Sequence, residues 1–366
     1  MPEVGVGERS RAGADGAVLG VDVGGTKVAA AVVDGVEVRN RIERPTDKRS
    51  ETALIDLIAA VAREVADAAG VEPRAVGVGV PSQVDAASGT ALASVNIPLA
   101  GVPVRAELGN RLGVPVSVDN DANCAALGEA QLVPDPPAGD LVMLTLGTGV
   151  GGGIVVDGRI FRGATGLGAE LGHMVVDGRA IDEHPADATV DGRAADHAPR
   201  DMGIASGATD DAPAGSFPRP GSLEWHCSGR GLEREATRCA REHPDSLLGR
   251  LYADQGRVSG RDAVTTAREG DRQAASVLER YGRWLGIGIA TVANVFEPQR
   301  IVVGGGISRA AELFLDVARA EAGRWALPAL WERTTVELAR GGPDAGVIGA
   351  AVLAVHELEH SGHTAS

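Results

Sequence analysis

One layout occurs twice in the chain, and this repetition constrains the fold more than any other feature. An apolar run over 17–23 enters a glycine turn, Gly24-Gly25-Thr26-Lys27, and leaves as a second apolar run over 28–33 before an Asp-Gly pair. The same order returns further along, with Gly147-Thr148-Gly149 as the turn and 154–156 as the outgoing run. Apolar runs around a tight turn predict β-hairpins. The sequence therefore predicts two similar domains.

Helices and strands alternate along the rest of the chain. The stretch Glu51–Ala69 carries apolar residues at helical spacing and is followed by a β-rich run over 75–80. Helices are also predicted over 262–269 and 272–296, and a strand over 300–303 leads into three consecutive glycines. Such alternation is typical of the α/β class, and 366 residues suffice for two domains.

The predicted domains are discontinuous in sequence. Between residues 178 and 221 the periodicity vanishes and Asp, Ala, Gly and Pro dominate, which is typical of a solvated, flexible loop. A last apolar helix is predicted at the C-terminal end. The predicted organisation is a disordered tail over 1–16, a small domain of 17–124 with 347–366, and a large domain of 125–346 that contains a polar insertion over 178–220.

Charge and composition exclude several classes of protein. Asp and Glu number 50 against 35 Lys and Arg, and this net charge of -15 repels a nucleic-acid backbone without any basic patch to compensate. No run of eighteen apolar residues could span a membrane, and the first sixteen residues lack the apolar core of a signal peptide. The three scattered cysteines fit a reducing compartment. We expect a cytoplasmic protein without nucleic-acid or membrane partners.

The two glycine turns suit phosphate binding, because glycine lets backbone N–H donors approach an anion closely. Thr26 and Lys27 add side-chain donors at the first turn, and Asp22 can hold a hydrated Mg²⁺ beside the phosphates. A hairpin turn without a ligand is the alternative. Since the turn at Gly147–Gly149 leads into a strand rather than a helix, a Rossmann site is excluded, and no Walker motif occurs.

Two further clusters carry polar side chains. Asp119, Asn120 and Asp121 follow an apolar strand and precede an alanine-rich helix, which is the position of a ligand crevice in α/β proteins. A helix N-cap made by Asn120 or Asp121 is the structural alternative. Glu170 and His173 stand three residues apart, so a helix would present both to one ligand. A buried, satisfied histidine is the alternative there.

Taken in order, these motifs carry a resemblance to a known family. From about residue 17 to 357 the chain resembles the ROK family of sugar kinases and repressors, and in particular its glucose-phosphorylating bacterial members. The motifs that carry it are the paired glycine turns, the runs 119–123 and 170–173, and Asn294-Val295-Phe296-Glu297-Pro298 before Gly304-Gly305-Gly306. The resemblance implies an α/β fold of two actin-like ATPase (ribonuclease H-like) domains with a cleft between them.

The same resemblance implies ATP-dependent phosphorylation of a hexose, with D-glucose as the expected acceptor and Mg²⁺ as the cofactor. Asp121 would take the proton from the attacking sugar hydroxyl. The implied sugar-binding residues are Asn96, Asn120, Asp121, Glu170, His173 and Glu224. The implied nucleotide-binding residues are Asp22, Gly24, Gly25, Thr26, Lys27, Gly147, Thr148, Gly149, Gly304, Gly305 and Gly306. Relatives of this kind also imply a homo-oligomer, either a dimer or a tetramer, with sugar and ATP as its small-molecule partners.

The chain departs from the family pattern at two places. The family usually has a cysteine-rich segment just before the residue matching Glu224, where three thiolates and the histidine bind zinc, whereas residues 215–222 contain no cysteine here. We therefore predict that zinc is absent and that no residue holds a structural metal. The family commonly has glycine where this chain has Ser82, a difference that can alter a sugar contact.

Several alternatives stay open. The chain could be a ROK-type kinase for N-acetylmannosamine, N-acetylglucosamine or fructose, a non-catalytic sugar-sensing regulator, or a catalytically decayed sugar-binding protein. Polyphosphate could replace ATP as the donor. About sixteen residues precede the first strand, too few for the helix-turn-helix domain of a repressor. The presence of Asp121 favours catalysis.

Overall fold

The computed structural model describes residues 16–94, 96–132, 139–178 and 217–363. Internal contacts group the chain into two compact units. The first unit contains the described parts of Met1–Ala138, Asp157–Gly168 and Arg340–Ser366, and the second contains those of Gly139–Val156 and Ala169–Ala339.

The domain boundaries predicted from sequence, at residues 124 and 346, stay a prediction. The tail predicted over 1–16 lies outside the described residues except for Gly16. The insertion predicted over 178–220 also lies outside them, except for Gly178 and 217–220.

A five-stranded sheet forms the centre of the first unit. Its strands are β1 (Ala17–Val23), β2 (Lys27–Asp34), β3 (Glu37–Pro45), β4 (Pro73–Val80) and β7 (Val116–Asn120), in the order β3-β2-β1-β4-β7. The β1–β2 pair is antiparallel, as the predicted hairpin requires, whereas β1–β4 and β4–β7 are parallel. The unit also contains the ribbon β5 (Ser82–Asp85) and β6 (Thr90–Ser94), the short strand β10 (Arg159–Ile160), and the helices α1 (Glu51–Ala69), α2 (Val104–Leu112), α3 (Asp121–Gln131) and α11 (Ala345–His363).

Helix α1 shows how local sequence sets these elements. Ser50 caps its N-terminus by accepting a hydrogen bond from Ala53 N at 3.1 Å, and Gly70 ends it in the left-handed conformation. Apolar residues at helical spacing, such as Leu54 and Ile58, are fully buried. The helix predicted over Glu51–Ala69 is confirmed over that range.

Helices α1 and α11 cover opposite faces of this sheet. Alternate residues of β1 therefore face different helices. Leu19 packs in the apolar cluster that contains α1, and Val18 packs in the cluster that contains α11. Two strand glycines bring α11 into direct contact with the sheet. A Cβ added at Gly20 would lie 1.9 Å from Val347 O, and one at Gly77 would lie 1.6 Å from Ala350 O. Part of the glycine content, 51 of 366 residues, therefore serves close helix–sheet packing.

The second unit repeats the arrangement. Its strands β8 (Leu141–Leu146), β9 (Val150–Val156), β11 (Arg300–Gly304) and β12 (Thr335–Leu338) lie in the order β9-β8-β11-β12. The β8–β9 pair is antiparallel, while β8–β11 and β11–β12 are parallel. Its helices are α4 (Leu223–Cys227), α5 (Gly229–Glu242), α6 (Leu247–Gln255), α7 (Gly260–Arg268), α8 (Arg272–Phe296), α9 (Leu315–Trp325) and α10 (Pro328–Trp331). The predicted duplication is confirmed, because each unit has an antiparallel hairpin whose first strand pairs in parallel with a later strand.

Helix α8 runs through the apolar core of the second unit. Tyr281 on this helix packs edge-on against Phe314, with ring centroids 5.0 Å apart, and its hydroxyl donates to Cys227 O at 2.8 Å. Among the helices within the described ranges, none has the length and apolar character needed to cross a membrane.

Candidate active site

The polar run predicted as a ligand site lies where β7 meets α3. Asn120 is the N-cap of α3, since its Oδ1 accepts from Ala122 N at 2.9 Å and from Asn123 N at 3.2 Å. Its Nδ2 lies 3.4 Å from Ser82 O. The side-chain oxygen of Asn120 therefore caps the helix, as the structural alternative predicted. The side-chain Nδ2 of Asn120 is directed away from the helix.

Asp121 is the first residue of α3 and is half-buried. Its Oδ1 accepts from Ala122 N at 2.9 Å. The N-terminal end of a helix favours a negatively charged side chain, because unpaired backbone N–H groups point toward it. The fold thus places a carboxylate at this strand end, at the start of a helix.

Asp119 is buried, with 3% of its surface exposed. One carboxylate oxygen, Oδ1, accepts from Asn120 N at 2.7 Å and from Asn123 Nδ2 at 2.8 Å. The other, Oδ2, pairs with Nε of Arg162 at 2.5 Å. Sequence reasoning did not select Arg162, because no local pattern connects it with a residue 43 positions away.

The residue that departs from the family pattern, Ser82, lies beside this junction. Its hydroxyl is buried and pairs with the Ser94 hydroxyl at 2.5 Å across the β5–β6 ribbon. The hydroxyl therefore stabilises the ribbon, while the backbone carbonyl faces the Asn120 amide.

The first glycine turn is tight and forms as predicted. Gly24 N donates to Lys27 O at 2.8 Å, and Thr46 Oγ1 donates to Gly24 O at 2.7 Å. A Cβ added at Gly25 would lie 3.6 Å from Asn96 Cβ and 4.0 Å from Lys48 Nζ. Asn96, predicted to bind sugar, therefore lies beside this turn.

The two lysines of the chain differ in their surroundings. The Lys27 ammonium pairs with Glu43 Oε1 at 2.6 Å, and this hydrogen bond lowers the pKa of the Glu43 carboxyl. The Lys48 ammonium lies 4.0 Å from where a Cβ of Gly25 would be, and it has no hydrogen bond or ion pair among the described residues. Lys48 is a second residue that sequence reasoning missed, since it lies outside every motif.

Asp22, at the end of β1, has an altered pKa. Burial is the main cause and the charge of Asp121 the second, and together they raise the pKa from 3.8 to about 7. Asp22 also lies at the N-terminal turn of α11, where a Cβ added at Gly346 would come within 2.8 Å of Asp22 Cγ. Asp22 is partly desolvated and feels the charge of a second carboxylate, so a nearby cation would stabilise its ionised form.

The Asp22 carboxylate fits Mg²⁺ bound together with phosphates. Mg²⁺ usually keeps several waters and takes one or two carboxylates plus substrate phosphate oxygens. Within the described ranges, no three His, Cys, Asp or Glu side chains cluster as a metal site made by protein alone. Asp22 would therefore hold the ion only in company with a phosphate chain.

The second glycine turn is held by its own neighbours. Gly147 N donates to Gly149 O at 2.9 Å, and Gly229 N donates to Gly147 O at 2.8 Å. Glu224 Oε2 accepts from Val150 N at 2.8 Å, and a Cβ added at Gly149 would lie 2.6 Å from that oxygen. The structure thus places Glu224, predicted to bind sugar, directly against the predicted phosphate turn.

The third glycine segment lies at the same edge of this sheet. Strands β8 and β11 are parallel, with Gly304 in register with Thr145, so both end beside the turn at Gly147. Gly305 has a φ of +88°, and a Cβ there would lie 2.3 Å from Leu146 O. Two of the three predicted nucleotide-binding segments are therefore brought together in the second unit.

Glu170 and His173 also come close to each other. Leu171–His173 is a short 3₁₀ helix, and His173 Nε2 lies 3.9 Å from Glu170 Oε2, with both side chains partly exposed. The buried-histidine alternative is wrong at this position. Gly172 permits the approach of this helix to β9, since a Cβ there would lie 2.1 Å from Val150 O.

An aromatic ring contacts His173 on another side. The Phe217 ring packs edge-on against the imidazole, with centroids 5.3 Å apart, and the Arg219 guanidinium lies 5.4 Å from the Phe217 ring centroid. These residues border a cavity of about 150 Å³ that is also lined by Asp177 and Ser222. The expected absence of zinc stays a prediction.

Comparisons with known proteins point in one direction. The model of the ROK family matches residues 18–357. The chain is 33% identical over 348 residues to a glucokinase from Halalkalibacterium halodurans, covering 94% of this chain and 96% of that protein. It is also 33% identical over 340 residues to an N-acetyl-D-glucosamine kinase from Salmonella paratyphi B, covering 91% and 98%. The solved structure of a ROK family glucokinase from Streptomyces griseus in complex with glucose and AMPPNP is similar with a TM-score of 0.68 at 31% identity, covering 93% and 100%.

Proposed function

The chain belongs to the ROK family and is a sugar kinase with the two-domain actin-like ATPase fold, and we propose that it phosphorylates D-glucose with Mg-ATP. The observation that carries this proposal is the position of Asp121. This half-buried carboxylate begins α3 directly after the capping Asn120, in a chain 33% identical to a glucokinase.

Asp121 acts as the general base. Phosphoryl transfer depends on positioning and on neutralising charge, so the protein must orient one sugar hydroxyl and accept its proton as the new O–P bond forms. The helix N-terminus stabilises the ionised Asp121 before the transfer. The bond to ADP breaks as the sugar oxygen bonds to phosphorus.

The sugar is held by neutral and charged hydrogen-bonding groups. We propose that the Asn120 amide and Asn96 contribute hydrogen bonds to the sugar, and that Glu170, His173 and Glu224 bind further hydroxyls. The 3.9 Å separation of Glu170 and His173 supports their joint use, because one hydroxyl can donate to the carboxylate while a neighbouring hydroxyl meets the imidazole.

The nucleotide is bound through backbone N–H groups of the glycine segments. Thr26, Lys27 and Thr148 add side-chain donors, and the segment Gly304–Gly306 lies beside the second turn. Mg²⁺ would be held by Asp22 with the phosphates and would neutralise their charge. We add Lys48 to the predicted set, because its ammonium lies near the turn, 4.0 Å from where a Cβ of Gly25 would be, without a carboxylate partner among the described residues.

Labelling of the two lysines tests this donor site directly. Reductive methylation followed by peptide mass spectrometry reports each lysine separately, since Lys27 and Lys48 are the only two in the chain. We expect Mg-AMPPNP to slow labelling of Lys48 at least fivefold and that of Lys27 by a smaller factor, because Glu43 already holds the Lys27 ammonium in the free protein. Protection of Lys27 without protection of Lys48 would contradict the assignment of Lys48.

N-acetylglucosamine is the second candidate acceptor. The chain is as similar to an N-acetyl-D-glucosamine kinase, at 33% identity, as it is to a glucokinase. The two sugars differ at C2, where an acetamido group replaces a hydroxyl. A site that hydrogen-bonds a hydroxyl rejects an analogue that lacks it more strongly than an apolar pocket does.

Turnover measurements decide between these acceptors. ADP release with Mg-ATP is measured for glucose, mannose, fructose, N-acetylglucosamine and N-acetylmannosamine. We expect glucose to have the highest kcat/KM, and Asp121→Asn to lower kcat about a hundredfold or more, because a positioned base contributes that much. Asp254→Asn, at an exposed position of α6, is the matched control and should match the wild type. Saturable sugar binding without turnover would indicate a sensor or a decayed enzyme instead.

A further inference from the structure

The Asp119 carboxylate is enclosed and fully bonded next to the proposed base. Its Oδ1 holds the backbone N–H of Asn120 and the side chain of Asn123, and its Oδ2 holds Arg162. Asn120 in turn caps α3, at whose first residue Asp121 stands. The backbone entering Asp121 is therefore fixed through Asp119.

Arg162 is well placed to fix Asp119. Its carbonyl accepts from Gly168 N at 2.9 Å, which closes the loop 162–168. The loop packs closely on β5, because a Cβ added at Gly166 would lie 2.6 Å from Val84 O. The guanidinium is about one quarter exposed, while the Asp119 side chain is only 4% exposed. The cation is thus held in place by its backbone.

Charge is crowded around this pair. Burial raises the pKa of the Cys124 thiol, and the charges of Asp119, Asp22 and Asp121 raise it further, whereas Arg162 lowers it. Three carboxylates therefore lie around one buried thiol. Lys27 and Arg41 are the cations that act on Asp22, and Arg162 is the one that pairs with Asp119.

Resting on the proposed function, we propose that Arg162 is a positioning residue for the Asp121 base. Through its ion pair with Asp119 it fixes the β7–α3 junction and compensates the Asp119 charge two positions before the base, so that Asp121 stays correctly oriented. Arg162 does not itself contact the reacting atoms. Its contribution belongs to kcat rather than to substrate binding.

Variants at both members of the pair test this inference. Arg162→Met removes the charge, Arg162→Lys keeps it, and Arg159→Met is the control, since Arg159 is exposed on the neighbouring strand β10. We expect Arg162→Met to lower kcat at least tenfold with both KM values within threefold of the wild type. It should also move the acid limb of the kcat–pH profile to higher pH, because loss of a cation favours protonation of a nearby carboxylate.

Further variants distinguish the effect of the Arg162 charge from the effect of its geometry on kcat. Asp119→Asn alone should move the acid limb to lower pH, because it leaves the Arg162 charge uncompensated. The double variant of Arg162→Met with Asp119→Asn should return the limb toward the wild-type position. Arg162→Lys should keep the limb in place and recover part of kcat, and Arg159→Met should change nothing beyond twofold.

Circular dichroism and the binding of AMPPNP establish that each variant is folded. If Arg162→Met does not fold, Arg162→Lys and Asp119→Asn carry the same test. A kcat for Arg162→Met within twofold of the wild type with an unmoved acid limb overturns the inference, as does a fall in kcat that leaves the limb unmoved and that Arg162→Lys does not relieve. A wild type that phosphorylates no sugar overturns the proposed function and this inference together.

Discussion

At Asp22, burial and the neighbouring Asp121 act in the same direction on one carboxyl. Both raise its pKa, to about 7, against the smaller opposite effects of Lys27 and Arg41, while Glu43 adds slightly to the rise. Its ordinary value of 3.8 describes the unfolded chain. In the folded protein the ionised form is therefore penalised unless a cation compensates it.

The pH dependence of folding stability follows from this shift. Since the folded pKa exceeds the unfolded one, the native state holds the proton more tightly, and this carboxyl lowers the free energy of unfolding as pH rises from about 4 to about 7. The loss is at most about 4 kcal/mol, at roughly 1.4 kcal/mol per unit. Asp22→Asn should remove it, so that urea unfolding of the variant is less pH-dependent than that of the wild type. Parallel pH curves for the two proteins would contradict the shift, and Asp254→Asn serves as the control.

A local sequence pattern marks some residues of the candidate site and leaves others unmarked. Asp121 was predictable because a strand end and a helix start mark it in the sequence, and its position at the start of α3 follows that pattern. Arg162 and Lys48 could not be predicted in this way. Asp119, which pairs with Arg162, is 43 positions away, and Gly25, near Lys48, is 23 positions away, and no spacing rule links residues so far apart. Glu224 was selected, but its hydrogen bond to Val150 N could not be anticipated, since it depends on how α4 packs against β9.

At the scale of elements, sequence periodicity predicted those with strong patterns. The helices over Glu51–Ala69 and Arg272–Phe296 form over the predicted ranges, and both hairpins form around the glycine turns. The strand β3 has no such pattern, since most of its side chains are half-buried or exposed. Only the turn that leads into it, at Asp34-Gly35, has a local signal, and its antiparallel pairing with β2 follows from that turn.

The contact of α3 with α11 is an element-scale consequence of glycine. A Cβ added at Gly349 would lie 1.6 Å from Cys124 O, and one at Gly128 would lie 2.0 Å from Ala345 O. Neither glycine has a positive φ, so each serves close packing and not a turn. Glu129 adds a polar contact, since its fully buried carboxylate accepts from Arg340 N and Gly341 N at 2.9 and 2.7 Å. The segment leading into α11 is thereby fixed to α3.

At the scale of the whole molecule, the two units can be followed separately by spectroscopy. The first unit is built from three separate stretches of the chain, of which α11 is the last. All four tryptophans lie in the second unit, at positions 225, 284, 325 and 331. Tryptophan fluorescence therefore reports the second unit alone, whereas far-ultraviolet circular dichroism reports the helices of both.

A substitution in α11 should therefore be visible to one probe more than to the other. Gly349→Ala forces a methyl group into the backbone of α3, and we expect it to destabilise the first unit by about 1–3 kcal/mol, because overpacking of a close contact costs this much. Urea unfolding should then show an early change in circular dichroism that precedes the change in tryptophan emission. Gly109→Ala, inside α2 with only Val114 O at 4.0 Å from the added carbon, should stabilise the same unit by about 0.5–1 kcal/mol. Coincident transitions in Gly349→Ala by both probes would mean instead that the two cores unfold as one cooperative system, with the stability of the first unit transmitted to the second.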